Sequence, residues 1–286
     1  MNSVRIITDS AAELTAEEAE ELQVSVLPLR YSVGNTVYKQ DRDISSDRLM
    51  EIIVQGKAKV APLPPATEDV TALLEGVTRA GQVAVFIHVA NGLVPVAQPI
   101  QEVSRGLFGR ARIEIIDSQS VSYGLKRIVL AAARAANRGA GLSEVTQLVR
   151  SLISRVYTLF YTEDFESLEQ SVDIQPSQAI LASILGVRPL VVLEEGRLLP
   201  LEKVTPRTTP VDKLTDFVLE FASVTELAIL VGPSPAGLDV EELRERIRQN
   251  YPGLEVPIVP YGPLVAATVG PAAVGLFVSE EFHGGW

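Results

Sequence analysis

Val4-Arg5-Ile6-Ile7-Thr8-Asp9-Ser10 decides the fold. Val4 to Thr8 reads as a short buried strand, and the strand stops on an Asp-Ser pair. Thr15-Ala16-Glu17-Glu18 follows with the spacing of a capping box, in which the Thr hydroxyl and a Glu carboxylate satisfy orphaned N–H groups at a helix start. Ile115-Ile116-Asp117-Ser118 repeats the same ending on a second strand, Arg112 to Ile116. A third strand, Val83 to Val89, runs into Ala90-Asn91-Gly92. Helical spans lie between and around them at Ser46 to Val54, Thr67 to Arg79 and the Ala-rich Ser122 to Asn137. Strands separated by helices predict a mostly parallel sheet covered on both faces. The carboxyl ends of such strands share one edge, where ligand sites form. Asp9, Ser10, Asn91, Gly92, Asp117 and Ser118 are therefore expected on one polar rim.

Val24 to Leu29 reads as a further strand, and Tyr31 to Tyr38 as a hairpin turning at Gly34-Asn35. After about Ser143 the pattern changes. A helix to Val156 precedes the strand Tyr157 to Tyr161. A helix near Pro176 to Leu185 leads to the strand Pro189 to Leu193, which turns at Glu194-Glu195-Gly196-Arg197 and returns through Leu198 to Val204. Two amphipathic helices, Thr209 to Ala222 and Asp239 to Asn250, are each followed by a strand, Leu227 to Val231 and Val256 to Tyr261. This half reads as α+β with antiparallel strands, and the boundary between the lobes is placed near residue 160, giving domains 1–160 and 161–286.

The 286 residues are 47% hydrophobic and 21% charged, which suits packed lobes and not disorder. A net charge of −11 argues against nucleic acid as a partner, since that contact needs clustered Lys and Arg. Absence of cysteine excludes disulfides and thiolate metal sites. The longest apolar stretch, Leu264 to Val278, is interrupted by Thr268, Gly270, Pro271 and Gly275 and is too short to span a bilayer. A soluble, cytoplasmic protein is expected, folded apart from a tail at His283 to Trp286.

The two Asp-Ser pairs admit two readings: positioning of a nucleophile or anion, or simple turning and helix capping. A Ser-His-Asp triad lacks a suitable base, because His88 sits in an apolar strand run and His283 in the tail. Gly139-Ala140-Gly141 follows a helix and reads as its C-cap, feeding an N-cap at Ser143. Gly232-Pro233-Ser234-Pro235-Ala236-Gly237 follows a strand, but its prolines remove N–H donors that a phosphate cradle needs. Asp41, Asp43, Glu194 and Glu195 read as solvated charge, and no metal site is expected. The small residues around Gly270-Pro271 point either to close backbone approach or to a core strand pair with a tight bend.

The chain resembles the DegV family of two-lobed bacterial fatty-acid-binding proteins, over nearly its whole length. Ile6-Ile7-Thr8-Asp9-Ser10-Ala11-Ala12-Glu13-Leu14 looks like the family's opening signature, and Val26-Leu27-Pro28-Leu29, Gly34, Tyr38 and Asp43-Ile44 follow in its order. Ile116-Asp117-Ser118-Gln119-Ser120-Val121-Ser122-Tyr123-Gly124 resembles its second Asp-Ser motif. Leu185 to Val204 and Gly270-Pro271 with Gly275-Leu276-Phe277 resemble its later segments.

That resemblance implies a parallel-sheet, Rossmann-like α/β lobe followed by an α+β lobe with antiparallel strands, the first giving a polar ligand rim and the second an apolar ligand pocket. It implies a non-enzymatic carrier for a long-chain fatty acid or related lipid, without a cofactor. Some members are the acyl-carrying subunit of a fatty-acid kinase. The departures fall on the groups that hold the ligand carboxylate. Ala61-Pro62-Leu63-Pro64-Pro65 stands in place of Thr-Ser-x-Pro-Ser, and Ala90-Asn91-Gly92-Leu93-Val94-Pro95-Val96 in place of Ser-Ser-Gly-Leu-Ser-Gly-Thr. Thr268 stands where the family has His, and a Gly-Arg pair is missing around Ser171-Val172-Asp173. The implied lipid-binding positions are Ser10, Ala61, Pro62, Asn91, Gly92 and Thr268, with Asn91 and Thr268 each left to donate one hydrogen bond. A buried carboxylate without donors is costly, so a weaker or different head group is expected, and transfer to a kinase subunit is disfavoured. Two other functions remain open: a ligand-free interaction subunit, and a hydrolase or phosphoryl-transfer enzyme using Asp9, Ser10, Asp117 and Ser118.

Overall fold

The computed structural model describes residues 3–106, 112–169, 188–204, 208–235 and 237–281. The chain divides into two compact units, Met1–Ser154 and Arg155–Trp286. The expected helix at Pro176 to Leu185, the stretch Ser171-Val172-Asp173 and the tail at His283 lie outside the described residues.

In the first unit β1 (Val4–Asp9) leads through a short 3-10 turn (Ser10–Ala12) to α1 (Ala16–Glu21) and β2 (Ser25–Leu27). A side sheet follows: β3 (Arg30–Val33), β4 (Thr36–Lys39), then α2 (Ser46–Gln55) and β5 (Val60–Leu63). The main sheet resumes with α3 (Thr67–Arg79), β6 (Val83–His88), α4 (Ala97–Gly106), β7 (Arg112–Asp117), α5 (Ser122–Asn137) and α6 (Leu142–Ile153). Its order is β2-β1-β6-β7 and every pairing is parallel. Consecutive strand residues point to opposite faces, and Ala84, Val85, Phe86 and Ile87 are all fully buried, so both faces of β6 are covered. Helices α5 and α6 pack on one another and against β1 and β6; α3 and α4 likewise, against β6 and β7.

Three local expectations change. No strand is expected at Ala61-Pro62-Leu63, yet the stretch is part of β5, antiparallel to β3 at the edge of the β4-β3-β5 sheet. An edge strand tolerates Pro62 because only one side of it needs N–H donors. Helix α4 was not foreseen between Pro95 and the next strand. Its Pro99 lies in the first turn, where a missing N–H costs nothing. Helix α6 starts two residues early: its N-cap is Gly141, whose N–H donates to the Glu144 carboxylate at 2.7 Å, not Ser143.

The second unit comprises β8 (Val156–Tyr161), α7 (Phe165–Glu169), β9 (Arg188–Glu194), β10 (Arg197–Val204), α8 (Pro210–Leu219), β11 (Val224–Val231), α9 (Val240–Asn250), β12 (Ile258–Pro260), α10 (Pro263–Val269) and β13 (Val274–Glu280). The sheet order is β10-β9-β8-β13-β11-β12, antiparallel except for β11 with β12. Its core joins Leu159, Leu190, Leu227, Ile229 and Leu276 to Leu214 of α8 and Leu243 of α9. The stretch Leu264 to Val278 is a helix and a strand, not a strand pair. The close backbone approach is real: Gly270 has φ +96°, and a Cβ there would lie 2.7 Å from the Asp164 side chain.

Candidate functional site

The chain leaves β1 for β2 on one side and later returns to β6 on the other, so β1 and β6 bracket the switch point of the parallel sheet. At such a point the connections diverge and leave a crevice at the carboxyl ends of the strands. Asp9 closes β1 there. Its side chain is fully buried and accepts the N–H of Ala11 at 3.0 Å and of Val89, just beyond β6, at 2.8 Å. Burial pushes its carboxyl up to about 7, against the pull of those two N–H groups and with a further push from Asp117.

Asp117 closes β7 and accepts the N–H groups of Asn91 and Gln119. The loop it starts is fastened to β6: Ser118 N–H donates to the His88 carbonyl at 3.0 Å, and Ala90 N–H to the Ser120 carbonyl at 2.9 Å. Ser118 Oγ accepts Ser120 N–H at 3.1 Å. Across the edge, Ser122 Oγ donates to Glu13 at 2.7 Å. Glu13, Gln119 and Ser122 all hold φ near +50°, a left-handed backbone that non-glycine residues adopt at a cost. The rim expected from the Asp-Ser echo thus exists, as a web of short side-chain-to-backbone bonds.

The individual residues differ from expectation in what they are free to do. Ser10 Oγ donates to Gln40 Oε1 at 2.6 Å and accepts Leu29 N–H at 3.0 Å, so its proton is spent on holding the side sheet to the end of β1. Asn91 is exposed; its Oδ1 accepts Ala97 N–H at the start of α4, and its amide nitrogen remains open to solvent. Gly92 is exposed beside it. Ala61 and Pro62 are half-buried in β5 and offer no polar side-chain atom. Thr268 belongs to the second unit. It is buried in α10 and its hydroxyl donates to the Leu264 carbonyl at 2.7 Å, so the donor expected of it is already engaged.

The web also leaves hydroxyls unmet. Thr8, Tyr31 and Ser120 are buried and their hydroxyl oxygens have no partner among the described residues. In the sequence Tyr31 reads only as a hairpin residue. The signal available was a large phenol on a strand position whose neighbours Ser32 and Arg30 are polar.

No nucleophile and base are brought together by these bonds. His88 is buried with a pKa lowered by desolvation, and its Nδ1 lies 2.7 Å from the Val89 carbonyl, which fixes Nδ1 as the protonated nitrogen of a neutral ring. The hydroxyls of Ser10 and Ser118 point to Gln40 and to Ser120. A cavity of about 450 Å³ in the first unit lies at the opposite edge of the sheet, lined by Ser3, Arg5, Gln82 and Asn137.

A doubly wound parallel unit with polar side chains gathered at its switch point, followed by a unit built on a mixed sheet, defines a two-unit α/β protein. The chain belongs to the DegV family: the family profile described as "Uncharacterised protein, DegV family" matches residues 3–281. A DegV domain-containing protein of Streptomyces coelicolor is 25% identical over 280 residues, 97% of this chain and 99% of that protein. Among solved structures, a fatty acid binding DegV family protein from Streptococcus agalactiae aligns with a TM-score of 0.85 and 18% identity, over 99% of this chain and 100% of that one. A stearic acid-binding protein from Eubacterium ventriosum aligns at 0.78 with 18% identity, over 98% of each chain. Among the described residues no helix is long and apolar enough to cross a membrane.

Proposed function

We propose that this chain is a non-enzymatic carrier that binds a long-chain fatty acid or a related lipid, with the polar head held at the carboxyl edge of the parallel sheet beside Asn91, Gly92 and the Ala61-Pro62 strand. The observation that carries this reading is the full-length match to family members named for fatty-acid binding. The second support is chemical. A carrier needs a few anchoring donors and no activated nucleophile, and the edge offers the Asn91 amide while Ser10, Ser118 and His88 are tied into the frame. With Thr268 committed to Leu264, the head-group donors are assigned to the first unit.

Organic extraction of natively purified protein, followed by mass spectrometry of the released lipids, tests the proposal. A stoichiometric acyl species is expected. Protein that emerges empty and fails to take up added fatty acid overturns it, and favours an interaction subunit recovered through its protein partner.

A further inference from the structure

Tyr31 is fully buried in β3, yet its hydroxyl meets no hydrogen-bond partner among the described residues. A buried hydroxyl left unpaired has given up water for nothing, and folded chains keep few of them unless a water, ion or ligand completes the bond. Its position is specific. Tyr31 is the register partner of Pro62, next to Ala61. The start of β3 is pinned to the switch point by Leu29 N–H on Ser10.

The surroundings of Tyr31 are acidic. Burial, and after it the charges of Glu13, Asp9 and Asp41, hold its phenol well above the ordinary range as a proton donor. None of the three carboxylates takes that proton. Asp9 is occupied by the Ala11 and Val89 N–H groups, Glu13 accepts from Ser122, and Asp41 accepts from Ser46.

We infer that Tyr31 donates a hydrogen bond to the ligand's polar head, which Ala61 and Pro62 cannot do, and that a head met by neutral donors, the Tyr31 phenol and the Asn91 amide, is an uncharged oxygen, such as that of an alcohol, an ester or a protonated acid, in preference to a carboxylate anion. This rests on the lipid-carrier reading and adds the head-group class and the residue that reads it. A carboxylate anion met only by neutral donors does not recover the hydration it gives up in a poorly hydrated site, whereas a neutral oxygen needs only the donor.

The test compares delipidated wild type with Tyr31→Phe, which removes one oxygen and nothing that holds the fold. Melting temperature is measured without lipid, and affinity is measured for cetyl alcohol, monopalmitoylglycerol and palmitate at mildly alkaline pH. The wild type is expected to favour the two neutral lipids over palmitate. Tyr31→Phe is expected to bind them about five- to tenfold more weakly, the range of one hydrogen bond, while melting at the same temperature or higher. Equal affinity of Tyr31→Phe and wild type overturns the inference and leaves a water as the phenol's partner. A wild type that prefers palmitate overturns the head-group assignment. A wild type that binds none of the three lipids removes the carrier reading itself, a failure visible without the variant.

Discussion

Asp9 and Val89 are eighty residues apart in sequence, and the Asp9 carboxylate accepts the Val89 N–H at 2.8 Å, fastening the end of β1 to the end of β6 across the switch point. The folded value of about 7 lies above the ordinary 3.8, so the folded chain binds this proton more tightly than the unfolded one. The stability this confers is fully present below about pH 4 and is lost as pH rises through about 7, on the order of 4 kcal/mol. Urea unfolding is expected to show a midpoint that falls from about pH 5 to about pH 8. Asp9→Asn, which keeps one acceptor and cannot ionise, is expected to flatten that slope. A wild-type midpoint that holds constant across the window would falsify the assignment.

Ser10 is expected to act as a frame residue. Ser10→Ala removes the acceptor of the buried Leu29 N–H and the donor to Gln40, at a cost of about 1–3 kcal/mol. Denaturation should register the loss, and hydrogen exchange should localise it as faster exchange at the Leu29 amide. Unchanged exchange there would refute the role.

Thr268 is expected to be silent toward ligand. Thr268→Val keeps the side-chain volume and removes only the hydroxyl that donates to Leu264. Lipid affinity should stay within about twofold and stability within about 1 kcal/mol. A large loss of affinity would return Thr268 to the head-group site.

Gly270 is held by geometry. At φ +96° an alanine is strained, and its Cβ would collide with the Asp164 side chain, whose carboxylate accepts the N–H and hydroxyl of Ser167 at the start of α7. Gly270→Ala is expected to lower stability by about 2–4 kcal/mol, read as a fall in melting temperature. Wild-type stability in that variant would show that the turn relaxes freely.

The parallel sheet was legible because its strands are short apolar runs with polar endings, a pattern that burial on both faces imposes directly. Capping chemistry was readable at Thr15, which opens helix α1 through the expected box; Thr209 opens α8 through a box with Asp212 that the Glu/Gln form of the motif does not name. Leu264 to Val269 was not, since a buried helix and a buried strand have the same composition over so short a span. The site was legible as a location and not as a set of free donors. Whether Ser10 or Thr268 has a proton to offer depends on Gln40 and Leu264, and only the folded chain decides which acceptor lies within reach. Tyr31 went unread for the same reason: an unmet hydroxyl is a property of its neighbours.

The position of β13 bears on how the protein is made. It comes last in chain order among the described strands, yet it lies between β8 and β11. During synthesis the first unit's strands are all available long before residue 274 leaves the ribosome, whereas β8 and β11 must wait with open ladder edges for the strand that joins them. The second unit's sheet is therefore joined only once β13 has been made, and the interval before it is when the nascent chain most needs protection from pairing with another chain.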